Sequence, residues 1–413
     1  MNLSNEDVRV LRALAEKYAE IAALPCQGVK RDMWRRHNAC EIVRPMVLID
    51  QLPWNELDVD GFLVNRVADP YWRHVETQLR RTIYQWEHLP VDMVVNPYVT
   101  LPRPIRTTGW GLEAHVTRLS MDATSDVQSQ HMECLINGFD DLEKIKMPEV
   151  TLDAALEKEI IQTAARLFEG IVPFRMTGQI MHLGIWDTIS MWMGVESCYI
   201  ELMDRPELIH ALMEKLTDGL IYQVGQMNAL GLFDVYTNLC HCSHTFSDDL
   251  PGGDAVSRPT SRDAWAFGLA QLFTSVSPAI TDEFEAAYMK RVFPLFGAIY
   301  YGCCDRLDDR LDVVTKMPNI RKISCSPWSD RENFARNLPK GYVMSNKPTP
   351  AILAYDSFDE DAARRDLRRT IKAARANNVP LEMILKDVST VRYDPKRLWR
   401  WSEIAIEESE TLS

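Results

Sequence analysis

The sequence predicts an α/β chain of the (β/α)8 TIM-barrel kind, with an N-terminal helical extension over residues 1–40 and a small β-rich insertion over about 94–150. Three observations predict it. From about residue 150 onward, short apolar runs alternate with amphipathic helical stretches. The connections are short enough to require parallel strands joined by right-handed crossovers. No low-complexity linker divides the 413 residues, and an elaborated barrel reaches about 400 residues as one unit. A single domain spanning 1–413 is therefore expected. An open doubly wound sheet has the same alternation and is the rival arrangement.

The elements follow in order. Ser4, with Asp7 three residues on, makes an acidic cap, and Leu11, Leu14, Tyr18 and Ile21 recur at helical spacing until Pro25. Residues 42–49 form a short apolar run and read as a buried strand. Val75, Leu79, Ile83 and Trp86 mark a helix stopped near Pro90. In the insertion, β-prone pieces around 94–100 and 115–117 are separated by Pro97, Pro102 and Pro104. Beyond it, helices are expected over 153–168, 195–203, 206–230, 281–294, 306–316, 330–337, 358–377 and 395–410. Strands are expected over 172–176, 233–239, 268–275, 296–302, 320–325, 341–345 and 381–386; with 42–49 these reach the eight of a barrel.

Composition narrows the function. A net charge of −13 argues against nucleic-acid binding, which needs clustered cations. No apolar stretch approaches the ~18 residues of a membrane span, and the acidic amphipathic start has neither cationic nor apolar signal regions. A cytoplasmic protein is expected. Nine cysteines scattered without an export signal do not form a disulfide framework.

The chemistry-bearing strings lie at predicted strand ends. Gly109-Trp110-Gly111-Leu112-Glu113-Ala114 matches a dinucleotide fingerprint only in letters, because no apolar strand precedes it. Tyr300-Tyr301-Gly302-Cys303-Cys304-Asp305 closes an apolar run, where barrel enzymes carry their chemistry. A thiolate there can bind zinc or attack an electrophile. Adjacent strand residues face opposite ways, so Cys303 and Cys304 act together only if the chain turns; otherwise both are small core residues. Cys325 ends the next strand and either joins them or is core.

Cys240-His241-Cys242-Ser243-His244 is dense in ligand-type residues but short of a zinc pattern, and with Asn238 it reads as a loop lining a pocket. Asp387, after the last strand, is an acid–base or orienting group, or a helix cap. Lys347 holds an anion or is a surface lysine. His182 and Trp186 sit in a Met- and Trp-rich stretch that is either core or an aromatic face for a methylated cation.

In order, Arg44-Pro45-Met46-Val47, Ile185-Trp186-Asp187, Asp204-Arg205-Pro206-Glu207, Tyr301-Gly302-Cys303-Cys304-Asp305, Ser326-Pro327-Trp328 and Leu385-Lys386-Asp387-Val388-Ser389-Thr390 resemble the uroporphyrinogen decarboxylase superfamily. They resemble more narrowly its corrinoid-linked methyltransferases. The resemblance covers most of the chain and implies a (β/α)8 barrel, one-carbon metabolism and a homodimer. It also implies a zinc held by His-x-Cys on one strand and a Cys near the last. Cys303 matches; Tyr301 stands in place of the His, and Asp387 to Thr390 in place of the final Cys. A zinc here would need Cys304, Cys325 or Asp387 to complete its ligands.

Arg44-Pro45-Met46-Val47-Leu48-Ile49-Asp50-Gln51 replaces the arginine-bearing string of true decarboxylases. The resemblance therefore favours methyl transfer between a small O- or N-methylated compound, or tetrahydrofolate, and the cobalt of a separate corrinoid protein. Asp387 and Tyr301 would polarise the site. No D-x-H-x-x-G corrinoid string occurs in the chain. The alternatives are a decarboxylase or lyase using Arg44, Arg306 and Lys347, and a non-catalytic ligand-binding barrel.

Overall fold

A computed structural model describes residues 3–113, 116–119, 129–132 and 134–412. It is a mixed α/β structure. Helix α1 (Asn5–Ala22) begins on the expected capping box: Ser4 Oγ accepts from Asp7 N–H at 3.1 Å, and Asp7 accepts from Ser4 N–H at 2.9 Å. Its buried face, Leu11, Leu14, Tyr18 and Ile21, packs on Val75, Leu79 and Ile83 of the helix Pro70–His88. Pro25 is not only a stop. It is the first residue of a second helix, α2 (Pro25–Asn38), where its missing N–H costs no hydrogen bond.

The strands in chain order are β1 (Met46–Ile49), β2 (Val99–Pro102), β3 (Ile105–Thr107), β4 (Val116–Leu119), β5 (Ser129–Met132), β6 (Val150–Leu152), β7 (Phe174–Thr177), β8 (Leu239–Cys240), β9 (Ser243–His244), β10 (Trp265–Gly268), β11 (Ala298–Tyr301), β12 (Ile320–Cys325), β13 (Val343–Asn346) and β14 (Leu381–Leu385). Six make a parallel sheet in the order β1-β14-β13-β12-β11-β10. β2 pairs in parallel with β7, and β3–β6, β4–β5 and β8–β9 are antiparallel. Shorter links extend the sheet at both edges. Asp92 N–H donates to Val47 O at 2.8 Å, while Phe267 N–H donates to Met181 O and Leu183 N–H to Phe267 O.

Several expectations shift. Where a strand is expected over 233–239, residues 233–238 make one bridge, Gln179 to Phe233, and Leu239 opens a hairpin over 239–244, with Asn238, His241 and Cys242 at positive φ. The strand expected at 268–275 lies earlier, at β10, and Gln271–Ser275 is a 3-10 turn. The insertion is only partly separate, since β2 belongs beside β7. The expected helix 306–316 shrinks to Leu311–Val314, which leaves a long loop after β11. Among the described residues no helix is long and apolar enough to cross a membrane.

The two faces of the six-stranded sheet differ. One face, with Val47, Ile49, Ile299, Ile323, Met344, Met383 and Leu385, joins the main apolar core beneath the helices. The other carries Glu382, Ile384, Tyr300, Ser345, Lys322 and Phe267, all buried. Alternation along each strand separates the two sets. The polar face is covered at its N-terminal end by Trp34, His37 and Asn38 of α2 and by the β8–β9 hairpin; Asn38 Nδ2 donates to the carbonyls of His244 and Phe246. At the C-terminal end it stays partly open.

Candidate active site

The open end is organised around Lys386, which follows β14 on the same face as Glu382 and Ile384. Its ammonium lies 3.1 Å from Cys303 Sγ, 3.0 Å from Asp387 Oδ2, 3.3 Å from Gln51 Oε1 and 3.4 Å from His241 Nε2. These partners come from four places: the loop after β11, the end of β14, the end of β1 and the β8–β9 hairpin. The His241 ring stacks on Phe267 of β10, with centroids 3.7 Å apart and planes 7° from parallel. That contact fixes the imidazole beside the lysine.

Cys303 and Cys304 are brought together because the chain turns just before them, at Gly302. Gly302 has φ +88°, and a Cβ there would come within 2.6 Å of Leu307 and 3.1 Å of Ser324. Only glycine meets both demands. The thiols then lie 3.6 Å apart, and Cys304 Sγ lies 3.4 Å from Asp387 Oδ2. The turn is held by Asp305 Oδ1, which accepts from Cys303 N–H at 2.7 Å, and by Ser324 Oγ, which donates to Cys303 O at 2.7 Å.

The electrostatics follow from this packing. The Cys303 thiol is drawn down to about 7, chiefly by the hydrogen bond from Cys304 and then, against burial, by the Lys386 ammonium. Cys304 moves the other way, because it donates to Cys303 and is buried next to that charge. Burial works against the Lys386 ammonium, but Cys303, Cys242 and Asp387 outweigh it and hold the group protonated. His241 is pushed to about 2 by burial and by Lys386 and Lys347, so it is a neutral acceptor. Lys347, one residue beyond β13, is lowered to about 8 by burial against the pull of Glu382. It donates to Tyr300 OH and, at 2.8 Å, to Ser345 Oγ. A thiolate, a charged lysine and a buried lysine lowered to about 8 thus lie within electrostatic reach of one another.

Of the residues singled out from sequence, Cys303, Cys304, Asp387, His241 and Lys347 meet here. His182 stands at the rim, edge-on to Phe267 at 5.1 Å and 3.4 Å from Asp187. The others do not reach the cluster. Tyr301 points to the opposite face of the sheet, where its hydroxyl lies 3.4 Å from the buried Glu285. Cys325 is in the apolar core beside Asn346, and burial lifts its thiol to about 12. Trp186 is fully buried in the helix Ile185–Met193 and donates its indole N–H to Phe284 O at 3.1 Å. His244 sits deeper in the sheet interior, between Val94 N–H and Asn238 O. Asn238 is held by Tyr98 OH and Tyr236 O.

Lys386 and Gln51 were not singled out. The signal for Lys386 was the alternation Glu382, Ile384, Lys386, which puts a second polar residue on the inward face of a strand otherwise apolar. Beside the cluster, a cavity of about 350 Å³ opens between β1, β2 and the helix Pro70–His88. Asp50, Trp54, Gln85, Asn96, Cys242 and His244 are among its walls.

Zinc, implied by the resemblance, does not fit these residues. Among the described residues no three His, Cys, Asp or Glu side chains converge as metal ligands. The donors nearest to doing so, Cys303, His241 and Asp387, surround the ammonium of Lys386. A lysine cation stands where a metal would have to be, and Cys325 is too far into the core to serve.

No family model matches the chain, and no curated protein matches it in sequence. Among solved structures it is similar to a methyltransferase from Methanosarcina mazei, with a TM-score of 0.50 and 11% identity over 92% of this chain and 98% of that one. At that identity the likeness speaks to the fold.

Proposed function

We propose that this chain is a methyltransferase built on a closed (β/α)8 barrel, which takes a methyl group from a small O-methylated compound. The observation that carries the reading is the lysine pair at the strand ends: Lys386, charged and fixed by Cys303, and Lys347, poised at about 8. Closure of the barrel is supported by the Asp92–Val47 and Phe267–Met181 backbone contacts beside the β2–β7 pair. The fold likeness to a protein named a methyltransferase supports the reaction class.

Breaking a methyl–oxygen bond leaves an alkoxide or phenolate, which needs a positive charge and then a proton. Lys386 supplies the charge and Lys347 the proton. His241, neutral and stacked on Phe267, holds the Lys386 ammonium from the far side. A positive charge and a proton donor favour an oxygen leaving group, which needs both, over a quaternary ammonium donor, which leaves as a neutral amine and needs neither. The methyl acceptor in this reading is a reduced corrinoid carried by a separate protein, which supplies the cobalt nucleophile when docked over the mouth; tetrahydrofolate is the other candidate. The same lysines also suit a substrate carboxylate, which keeps a decarboxylase reading in view. However, Arg44 is committed to Asp92 at the opposite end of the sheet, at 2.6 Å, and Arg306 to Asp308.

The test is an anaerobic assay with free reduced cobalamin as acceptor and methoxyaromatics, methylamines, betaines and methyltetrahydrofolate as donors. Methylcobalamin formation from a methoxy donor is expected, reduced at least about a hundredfold in Lys347→Met, the order of losing one positioned proton donor. Turnover of none of the donors would sink the proposal. Release of carbon dioxide from a carboxylated ring would replace it with the lyase reading.

A further inference from the structure

We propose that Cys303 and Cys304 form a peroxide-responsive thiol pair that closes reversibly into a disulfide between neighbouring residues. This inference does not rest on the methyl-transfer reading. Its grounds are geometric. The Gly302 turn places two thiols of adjacent residues in van der Waals contact at 3.6 Å, an arrangement that an extended strand forbids. The two cysteines are not equivalent. Cys303 has a lysine ammonium 3.1 Å from its sulfur, while Cys304 approaches a carboxylate oxygen at 3.4 Å. Cys303 is 8% exposed and lies directly beneath the half-buried Cys304 and the 47% exposed Asp387, so a molecule as small as a peroxide reaches it from the mouth. Cys240, Cys242 and Cys325 are buried and burial raises their thiols, so they offer no competing thiolate.

The chemistry balances with a peroxide as the oxidant. The Cys303 thiolate attacks one peroxide oxygen and the O–O bond breaks. A sulfenic acid forms on Cys303, and the departing hydroxide takes a proton to become water. Cys304, its proton passing to Asp387, then attacks the Cys303 sulfur. The S–S bond forms, the S–O bond breaks, and the second hydroxide leaves as water with that proton. Two thiols lose two electrons and one peroxide gains them.

The product is easily reversed. Consecutive Cα atoms are about 3.8 Å apart, shorter than the usual span of about 4.4–6.8 Å across a disulfide. Such a bond is strained and readily reduced by a dithiol. Oxidation would also remove the thiolate that balances Lys386, so the state of the pair is coupled to the charge of the mouth.

The experiment uses the full chain carrying Cys26→Ser and Cys134→Ser, which removes the two exposed thiols. It is treated with hydrogen peroxide and followed by intact mass and peptide mapping. The expected product is lighter by two hydrogens, with the whole loss on the peptide containing both cysteines; it resists alkylation there and returns fully with dithiothreitol. In Cys304→Ser the same treatment should add oxygen to Cys303, and in Cys303→Ser the oxidation of Cys304 should be at least about tenfold slower. If Cys303 gains oxygen in the parent as fast as in Cys304→Ser, with no alkylation-resistant form, the pair does not close and the proposal fails. It fails equally if both thiols stay reduced while the folded chain, checked by circular dichroism, is unchanged.

Discussion

Lys322 and Lys386 stand on the same inward face of the sheet, at opposite ends, and their surroundings differ in kind. Lys322 is completely buried. Its ammonium reaches Glu382 Oε2 at 2.8 Å, Ser243 Oγ at 2.6 Å and His244 O at 3.0 Å, with the Trp34 ring 5.0 Å below it. Every proton is used, and helix α2 shuts out water. Lys386 has a thiolate, an amide, an imidazole and a partly exposed carboxylate, held by residues in costly conformations. Gln51, His241, Cys242 and Asp387 all have positive φ. Backbone strain of this kind costs about 1–3 kcal/mol per residue and persists where the surrounding fold enforces it. The closed network fixes the sheet; the open one is strained and reactive. The pair teaches that a buried lysine becomes a site through the company it keeps and its access to solvent, not through burial alone.

The largest test of this contrast is to break the closed pair. Lys322→Met leaves the Glu382 carboxylate buried with its Oε1 already lacking a hydrogen-bond partner among the described residues. Removing one member of a buried ion pair costs about 3–5 kcal/mol. Urea unfolding should show that loss, and Lys322→Met with Glu382→Leu should recover most of it, since no lone charge then remains. A loss below about 1 kcal/mol for the single variant would erase the distinction between the two ends.

The next effect is a pH dependence from the closed end. His244 is lowered to about 4, and His37 is also lowered, in both cases first by burial. They face Lys322, Glu382 and Asp92, with Trp34 between them. Between the folded value and the ordinary 6.5, the unfolded chain binds more protons than the folded one. Stability therefore rises with pH across that window and is lost as pH falls through it, by up to about 1.4 kcal/mol per pH unit for each histidine. Glu382, lowered in the fold by Lys322 and His37 against burial, adds a further loss below its ordinary 4.5. Melting temperatures between pH 7 and 5 should fall accordingly. A flat profile would mean that these histidines are not held neutral in the interior.

The contrast also explains what could be read from sequence. The parallel α/β alternation was legible because each strand buries both faces and each helix one, and both periods are written in side-chain type. Cys303 and Asp387 were legible as strand-end residues. Lys386 was not, because its importance comes from Cys303, Gln51 and His241, which lie far apart along the chain and meet only in the fold. Tyr301 misled for the opposite reason: it neighbours Cys303 in sequence, but strand alternation turns it to the other face. The strand expected over 233–239 misled, since the turn that replaces it, ending in positive φ at Asn238, leaves little trace in residue type; the reading of 240–244 as a loop fits the hairpin found there.

The smallest change in stability belongs to the open end, and there chemistry should move more than folding. Lys386→Met removes the ammonium that faces Cys303, while Cys304, Asp305, Asp387 and His241 remain around the thiol. Its value should then rise from about 7 toward the ordinary 9.0. At pH 7 the rate of iodoacetamide alkylation of Cys303 should fall roughly threefold to tenfold, in proportion to the thiolate fraction. Lys386→Arg, which keeps the charge, should retain most of that rate. Because Asp387 and Cys304 lie next to solvent and can be rehydrated, the unfolding free energy should change by about 1 kcal/mol or less. An unchanged alkylation profile combined with a loss of about 3–5 kcal/mol, the cost of a broken buried pair, would make Lys386 a second Lys322. The mouth would then be architecture, and the thiolate would owe its charge to Cys304 alone.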